Sequence, residues 1–307
     1  MRFVISGGNS FLGVSLCQRL IHEGHKVILL CRKNPKLKES TVNISVIKYS
    51  SLSDISTTSN NLGNIDVFIH LAWAGTGHAG RNDVSIQNEN IENSLNAIHL
   101  AKEHGCKLFV EAGSQAEYGF VSGKMTEETP CNPENEYGRA KLEFGKRAEI
   151  LCRQYSMKFI HLRILSLFGE NDHPWTLVMS SIRKMMNNED VHLSSCEQLW
   201  NFTNVEDASK QIYLLCNNAL SKSDFKSEIY LICSNDTRKL RSFVEEIKIL
   251  TKSSSRLIYG EYQPDNVVSL DPSTDKTSKA TSGFISETTF GQVVNRIIDN
   301  YKNGIYD

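Results

Sequence analysis

The chain has no surplus of either charge: 34 Lys and Arg face 35 Asp and Glu over 307 residues, a formal charge of -1. Nucleic acid or an anionic lipid surface would find no electrostatic footprint here. The eight cysteines stand singly, without a C-x-x-C pair, so neither a zinc site nor a dithiol redox centre is expected. Thiols scattered in this way suit a reducing cytosol, and Cys17, Cys31, Cys106 and Cys233 lie in apolar segments as core filler. No apolar run reaches the ~20 residues that span a bilayer. The opening Met1-Arg2-Phe3-Val4-Ile5-Ser6 meets glycines too soon for a secretory signal. These absences predict a cytoplasmic protein with no metal, no nucleic acid and no membrane partner. A hydrophobic content of 40% with 22% charged residues is that of an ordinary globular chain, long enough for one large domain or two closely joined ones.

What is present is an alternation of strand-length apolar runs and helix-length segments. Strands are predicted at Phe3-Val4-Ile5, Val27-Ile28-Leu29-Leu30, around Ile44 to Ile47, at Val67-Phe68-Ile69-His70-Leu71, at Leu108-Phe109-Val110 and over 159–165. Helices are predicted over about 12–21, 84–104 and 136–155. This order implies βαβ units and a parallel sheet covered on both faces, and the unbroken apolar runs agree with burial on both sides. After Leu165 the pattern shortens, broken by His173-Pro174, by Ser-rich 221–227 and 253–255, and by Pro264-Asp265-Asn266. The expected fold is therefore α/β: a Rossmann-type doubly wound parallel sheet over residues 1–168. Residues 169–307 are expected to form mainly a smaller α/β substrate-binding cap, with some segments returning to the sheet.

Ser6-Gly7-Gly8-Asn9-Ser10-Phe11-Leu12-Gly13 joins the first strand to the first helix. A dinucleotide pyrophosphate can lie there against free N–H groups at the positive helix end. Glycine is needed where backbone and phosphate approach too closely for a Cβ. Ser10 stands where the middle of three spaced glycines belongs, its hydroxyl facing the phosphate. The second strand ends in Leu30-Cys31-Arg32-Lys33, with two cations and no carboxylate to take the adenosine ribose hydroxyls. Arg32 therefore points to NADP(H), with NAD(H) the alternative.

Tyr137-Gly138-Arg139-Ala140-Lys141 falls on a predicted helix, where positions four apart share a face. A phenol titrates near ~10, and a neighbouring ammonium favours its ionised form. The pair suits proton transfer at a hydroxyl from whose carbon a hydride leaves.

These segments, taken in order, resemble the extended short-chain dehydrogenase/reductase family of nucleotide-sugar epimerases, dehydratases and ketoreductases. The resemblance spans nearly the whole chain. It is carried by the glycine turn, Ile69-His70-Leu71-Ala72, Asn90-Ile91, Gly113-Ser114-Gln115-Ala116-Glu117-Tyr118-Gly119 and Thr129-Pro130 through Lys141. Leu162 to Gly169 and Trp200-Asn201-Phe202-Thr203-Asn204-Val205-Glu206-Asp207 complete it. It implies Tyr137 as acid/base, Lys141 as holder of the nicotinamide ribose and modulator of the phenol, and Ser114 as hydrogen-bond partner of the reacting oxygen. It also implies a cofactor site of Gly7, Ser10, Phe11, Leu12, Gly13, Arg32, Leu71, Ala72, Asn90 and Lys141.

Gln115 and Ala116 stand where the dehydratases of that family carry an Asp-Glu pair, and Ala116 where C3/C5 epimerase-reductases carry cysteine. What remains is chemistry at one carbinol carbon: a 4-ketoreductase or dehydrogenase of a nucleotide-linked 4-keto-6-deoxy sugar serving surface polysaccharide, or a 4-epimerase with retained cofactor. A non-catalytic nucleotide-binding sensor or scaffold is a third class, disfavoured by the presence of all three catalytic residue types. Substrate contacts are expected from Trp73, Arg81, Gln115, Ser166 and Trp200, with His78 a further candidate. The arginines that clamp the diphosphate in relatives are replaced by Trp200 and Gln263, so Arg183, Lys184 and Arg256 are candidate substitutes. The long helices over 84–104 and 136–155 resemble the pair that forms a four-helix homodimer interface in the family.

Overall fold

The computed structural model describes residues 1–35, 37, 43–77, 79–261 and 268–306. Seven strands form one sheet: β1 (Arg2–Ser6), β2 (Lys26–Cys31), β3 (Ile44–Lys48), β4 (Val67–His70), β5 (Leu108–Ser114), β6 (Lys158–Ile164) and, from late in the chain, a strand at Ser227–Ile232. Every neighbouring pair is parallel, in the order β3-β2-β1-β4-β5-β6 and then the Ser227–Ile232 strand. The order reverses between β1 and β4, where open α/β sheets place their ligands at the carboxyl ends of the strands.

Strand side chains alternate between the two faces. Phe3 and Ile5 of β1 and Leu29 of β2 meet α1 (Phe11–His22) through Leu12, Leu16 and Leu20. Val4 and Phe68 face the other way, against α2 (Val84–Glu103) and α3 (Glu136–Gln154), through Ile91, Ile98, Ala140 and Phe144. Burying each large apolar side chain is worth about 1.5–3 kcal/mol, which is why the strands read as unbroken apolar runs.

Beyond β6 the elements are shorter: β7 (Ser166–Phe168), α4 (Leu177–Met186), β8 (Val191–Leu193), β9 (Leu199–Asn204), α5 (Val205–Ser221), and then the sheet strand at Ser227–Ile232, which is β10. There follow β11 (Thr237–Lys239), α6 (Leu240–Thr251), β12 (Leu257–Tyr259), α7 (Asp275–Ala280) and α8 (Phe290–Lys302). Helix α5 joins α1 on its face of the sheet through Ala208, Ile212 and Leu215. Helices α4, α6 and α8 bury their own core, with Ile182, Phe243, Val294 and Ile297, against β8 and β9. Strands β7, β9 and β11 form a three-stranded sheet, and β8 pairs with β12. Seven cysteines are buried, Cys131 is partly exposed, and all are free thiols. Among the described residues no helix is long and apolar enough to cross a membrane.

Candidate active site

The turn between β1 and α1 is shaped by atoms its glycines leave room for. A Cβ on Gly7 (φ +73°) would stand 2.9 Å from the Ala72 nitrogen, and one on Gly13 would stand 2.5 Å from the Gly7 carbonyl oxygen. Backbone from β1, α1 and the end of β4 thus converges more closely than any side chain permits, which fits a dinucleotide pyrophosphate at the start of α1. Phe11 and Leu12 open the helix, Leu12 buried against β1. Leu71 donates its N–H to the Ser6 carbonyl at 3.1 Å. The Ser10 hydroxyl caps α1, accepting the Gly13 N–H at 3.1 Å. Both ends of the Asn90 amide are engaged by Ala74, whose N–H and carbonyl each lie 2.9 Å away. Arg32, one residue past β2, is exposed.

The carboxyl end of β5 carries Ser114, and the first two turns of α3 carry Tyr137 and Lys141. Asn135 caps α3 by accepting the Gly138 N–H at 2.8 Å. Gly138 lies so close to the Ser114 turn that a Cβ there would meet the Ala116 oxygen at 2.4 Å. Ser114 Oγ accepts the Ala116 N–H at 3.1 Å. Lys141 donates to the Ala112 carbonyl at 2.7 Å and sits 3.6 Å from the centre of the Trp73 ring. Burial lowers its pKa to about 8, against the pull of Glu111 and Glu117. Burial raises the Tyr137 phenol above its ordinary value, while Ser114 and then Arg81 draw it down. Arg81 lies over the phenol, 4.3 Å from the Tyr137 ring centre.

The loop after β4 is lashed to α2. Trp73 donates its indole N–H to Gln87 at 2.8 Å, and the Gln87 amide donates to the carbonyls of Gly75 and Gly80 at 3.1 and 2.9 Å. Gln87 escaped the sequence reading; a buried polar residue on the sheet-facing side of α2 was its signal. The Arg81 carbonyl then accepts the Tyr137 N–H at 2.8 Å. Trp73, Arg81 and the triad form one contiguous site. His78 lies outside the described residues.

Residues 3–233 match the NAD dependent epimerase/dehydratase family. The chain belongs to that family. It is 25% identical over 268 residues to CDP-abequose synthase of Salmonella muenchen, covering 84% of each chain. It is 28% identical over 220 residues to dTDP-6-deoxy-L-talose 4-dehydrogenase (NAD(+)) of Aggregatibacter actinomycetemcomitans, covering 69% of this chain and 78% of that one. Among solved structures, a UDP-glucose 4-epimerase superposes with TM-score 0.88 over 100% of this chain and 99% of its own, at 16% identity. That likeness speaks to the fold alone.

Membership in the family makes this chain a nicotinamide-dependent enzyme. Beneath its Ser114 turn lies a buried ionic network that sequence reasoning also missed. His161 of β6 bridges Glu111 of β5 and Glu117 of the 3₁₀ turn Gln115–Glu117, both at 2.8 Å. Arg163 reaches Glu117 at 3.0 Å and the Tyr118 hydroxyl at 2.9 Å. The signal was the presence of charged residues inside otherwise apolar strands. On the substrate side, Gln115 is partly exposed. Ser166 and Trp200 lie on the adjacent strands β7 and β9. Trp200 packs against Phe202, with its indole N–H buried and unpartnered. Arg256 is engaged by Asp190, Arg183 is exposed on α4, Lys184 follows it there, and Gln263 lies outside the described residues.

Proposed function

We propose that this enzyme reduces the C4 carbonyl of a nucleotide-linked 4-keto-6-deoxy sugar, with NADPH as the preferred cofactor. The observation that carries the reading is the acid–base inventory around Ser114. Tyr137, in the first turn of α3 and faced by Arg81, would give one proton to an oxygen held by its own hydroxyl and that of Ser114. Gln115 and Ala116 supply no second acid or base for elimination. The next carboxylate, Glu117, is turned inward: it accepts the Ser114 N–H at 2.7 Å and is ion-paired with His161 and Arg163. When bound, the nicotinamide supplies the hydride. Gly7, Gly13 and the start of α1 would hold its pyrophosphate, Arg32 its 2′-phosphate, and Lys141 its ribose.

The names of the two relatives support the substrate class, each joining a nucleoside diphosphate to a sugar, and one being a 4-dehydrogenase of a 6-deoxy sugar. Residues 169–307 would then form mainly the cap that receives the nucleotide, with Ser166, Trp73, Arg81, Gln115 and Trp200 lining the sugar side, and the product would serve surface polysaccharide. A 4-epimerase would use the same residues, oxidising and re-reducing one carbon with retained cofactor. A panel of nucleotide 4-keto-6-deoxy sugars, tested with NADPH and NADH beside nucleotide sugars that carry a C4 hydroxyl, separates them. Stoichiometric loss of the reduced nicotinamide band, fastest with NADPH, supports the reductase. Inversion at C4 without net cofactor consumption establishes the epimerase instead. Release of water from a plain nucleotide-hexose overturns both.

A further inference from the structure

The geometry points to Glu111, His161 and Glu117 as positioning residues that seat Ser114 and hold Lys141 as an ammonium ion. The proposal rests on reading Ser114, Tyr137 and Lys141 as the proton-transfer set. The bridge is continuous: Glu111 Oε2 to His161 Nδ1, His161 Nε2 to Glu117 Oε2, and Glu117 Oε1 to the Ser114 N–H, at 2.8, 2.8 and 2.7 Å. All three side chains are buried. Two glycines make the slot they occupy. A Cβ on Gly113 would stand 2.6 Å from Glu117 Oε1 and 2.7 Å from His161 Nε2, and one on Gly145 of α3 would stand 2.6 Å from the His161 ring.

Packing alone does not account for this arrangement. A buried ion pair costs more to desolvate than apolar residues of equal volume, so stability by itself would favour a hydrocarbon filling. The ionic choice has a consequence for Lys141, which is buried with no carboxylate hydrogen-bonded to it, its ammonium donating to the Ala112 carbonyl. The charged and titratable groups around that ammonium come from several elements: Glu111 on β5, Glu117 on the 3₁₀ turn, His161 and Arg163 on β6, His70 on β4, Tyr137 on α3 and Arg81 on the loop. Burial drives His70 down to about 3, so it is neutral. Burial also disfavours the His161 cation, but Glu117 and Glu111 raise its pKa to about 10 and keep it charged. Glu111 and then Glu117 favour the charged form of Lys141. Glu111 Oε1 is buried without a hydrogen-bond partner, so His161 engages only one of its two oxygens.

Three measurements test this on the folded protein. In the unliganded wild type, ¹⁵N-histidine NMR should show His161 protonated on both nitrogens at pH 8; a neutral ring there overturns the proposal. Lysine ¹³Cε NMR should give Lys141 a pKa near 8, and Glu111→Gln or Glu117→Gln should lower it by about one unit, the effect of losing one nearby carboxylate. Glu111→Asp should restore most of that shift. An unmoved Lys141 in folded Gln variants means a merely structural network and overturns the proposal. With substrate, the alkaline limb of kcat/KM should move down by the same interval. If Lys141 shifts but the limb stays, the positioning inference stands and the assignment of Lys141 to catalysis fails.

Discussion

Tyr137 holds its proton more tightly than a free phenol because burial penalises the phenolate, with Ser114 and Arg81 working against that penalty. As the only proton donor the proposed reaction needs, its removal should be felt in turnover and little else. Tyr137→Phe should lower kcat by roughly 10²–10⁴, the usual worth of general acid catalysis, with cofactor affinity and circular dichroism near wild type. A variant turning over at the wild-type rate would remove Tyr137 from the reaction. Arg32 is a second single-residue case. A charge-assisted hydrogen bond is worth about 1.5–3 kcal/mol, roughly 10- to 150-fold in affinity. Arg32→Ala should therefore weaken NADPH by about that factor and NADH little, as read by fluorescence titration. Tighter NADH than NADPH binding by the wild type would contradict the assignment. At this scale the sequence spoke clearly where a residue's chemistry needs a fixed local spacing, as in Tyr137 and Lys141 four apart on one turn. It was silent where the partner is remote: Glu111 and His161 are 50 positions apart and meet only because β5 and β6 are neighbours. It did not show that Ser10 and Asn90 also bind backbone groups, which no pattern of side chains reveals.

At the scale of elements, α3 is set against the Ser114 turn by the absence of a side chain at Gly138. Alanine there favours a helix by about 1 kcal/mol over glycine, so local propensity alone predicts stabilisation. The contact decides otherwise, because the new Cβ would lie 2.4 Å from the Ala116 carbonyl oxygen, a backbone atom with little freedom to yield. Gly138→Ala should displace the start of α3, and a misplacement of ~1 Å costs about 10²-fold in rate. The expected result is a folded protein with turnover reduced on that order; unchanged kinetics would mean the two segments separate freely. The elements through β6 were legible because each strand is an apolar run flanked by turns and each helix is long enough to show its period. Strands β7, β8, β11 and β12 are three residues each, too short for any alternation to register. Their pairing partners are set by the folded cap rather than by local sequence.

For the molecule as a whole, α2 and α3 lie side by side on one face of the sheet, with Val84 and Ile150 among the exposed apolar side chains they carry. We expect this face to meet its copy in a homodimer. Light scattering should return twice the 34.6 kDa chain mass, and a monomer at micromolar concentration would refute the expectation while leaving the site intact. The hydrogen bond from the Tyr137 N–H to the Arg81 carbonyl has a consequence of another kind. The loop that would touch the sugar and the helix that carries the proton donor are mechanically one piece, joined again through the stacking of Arg81 on the phenol ring. Anyone recutting this pocket by exchanging the loop would be moving the acid as well as the lock. Grafted loops should yield slow enzymes more often than re-targeted ones, unless the graft returns a carbonyl to the place where Arg81 now offers one.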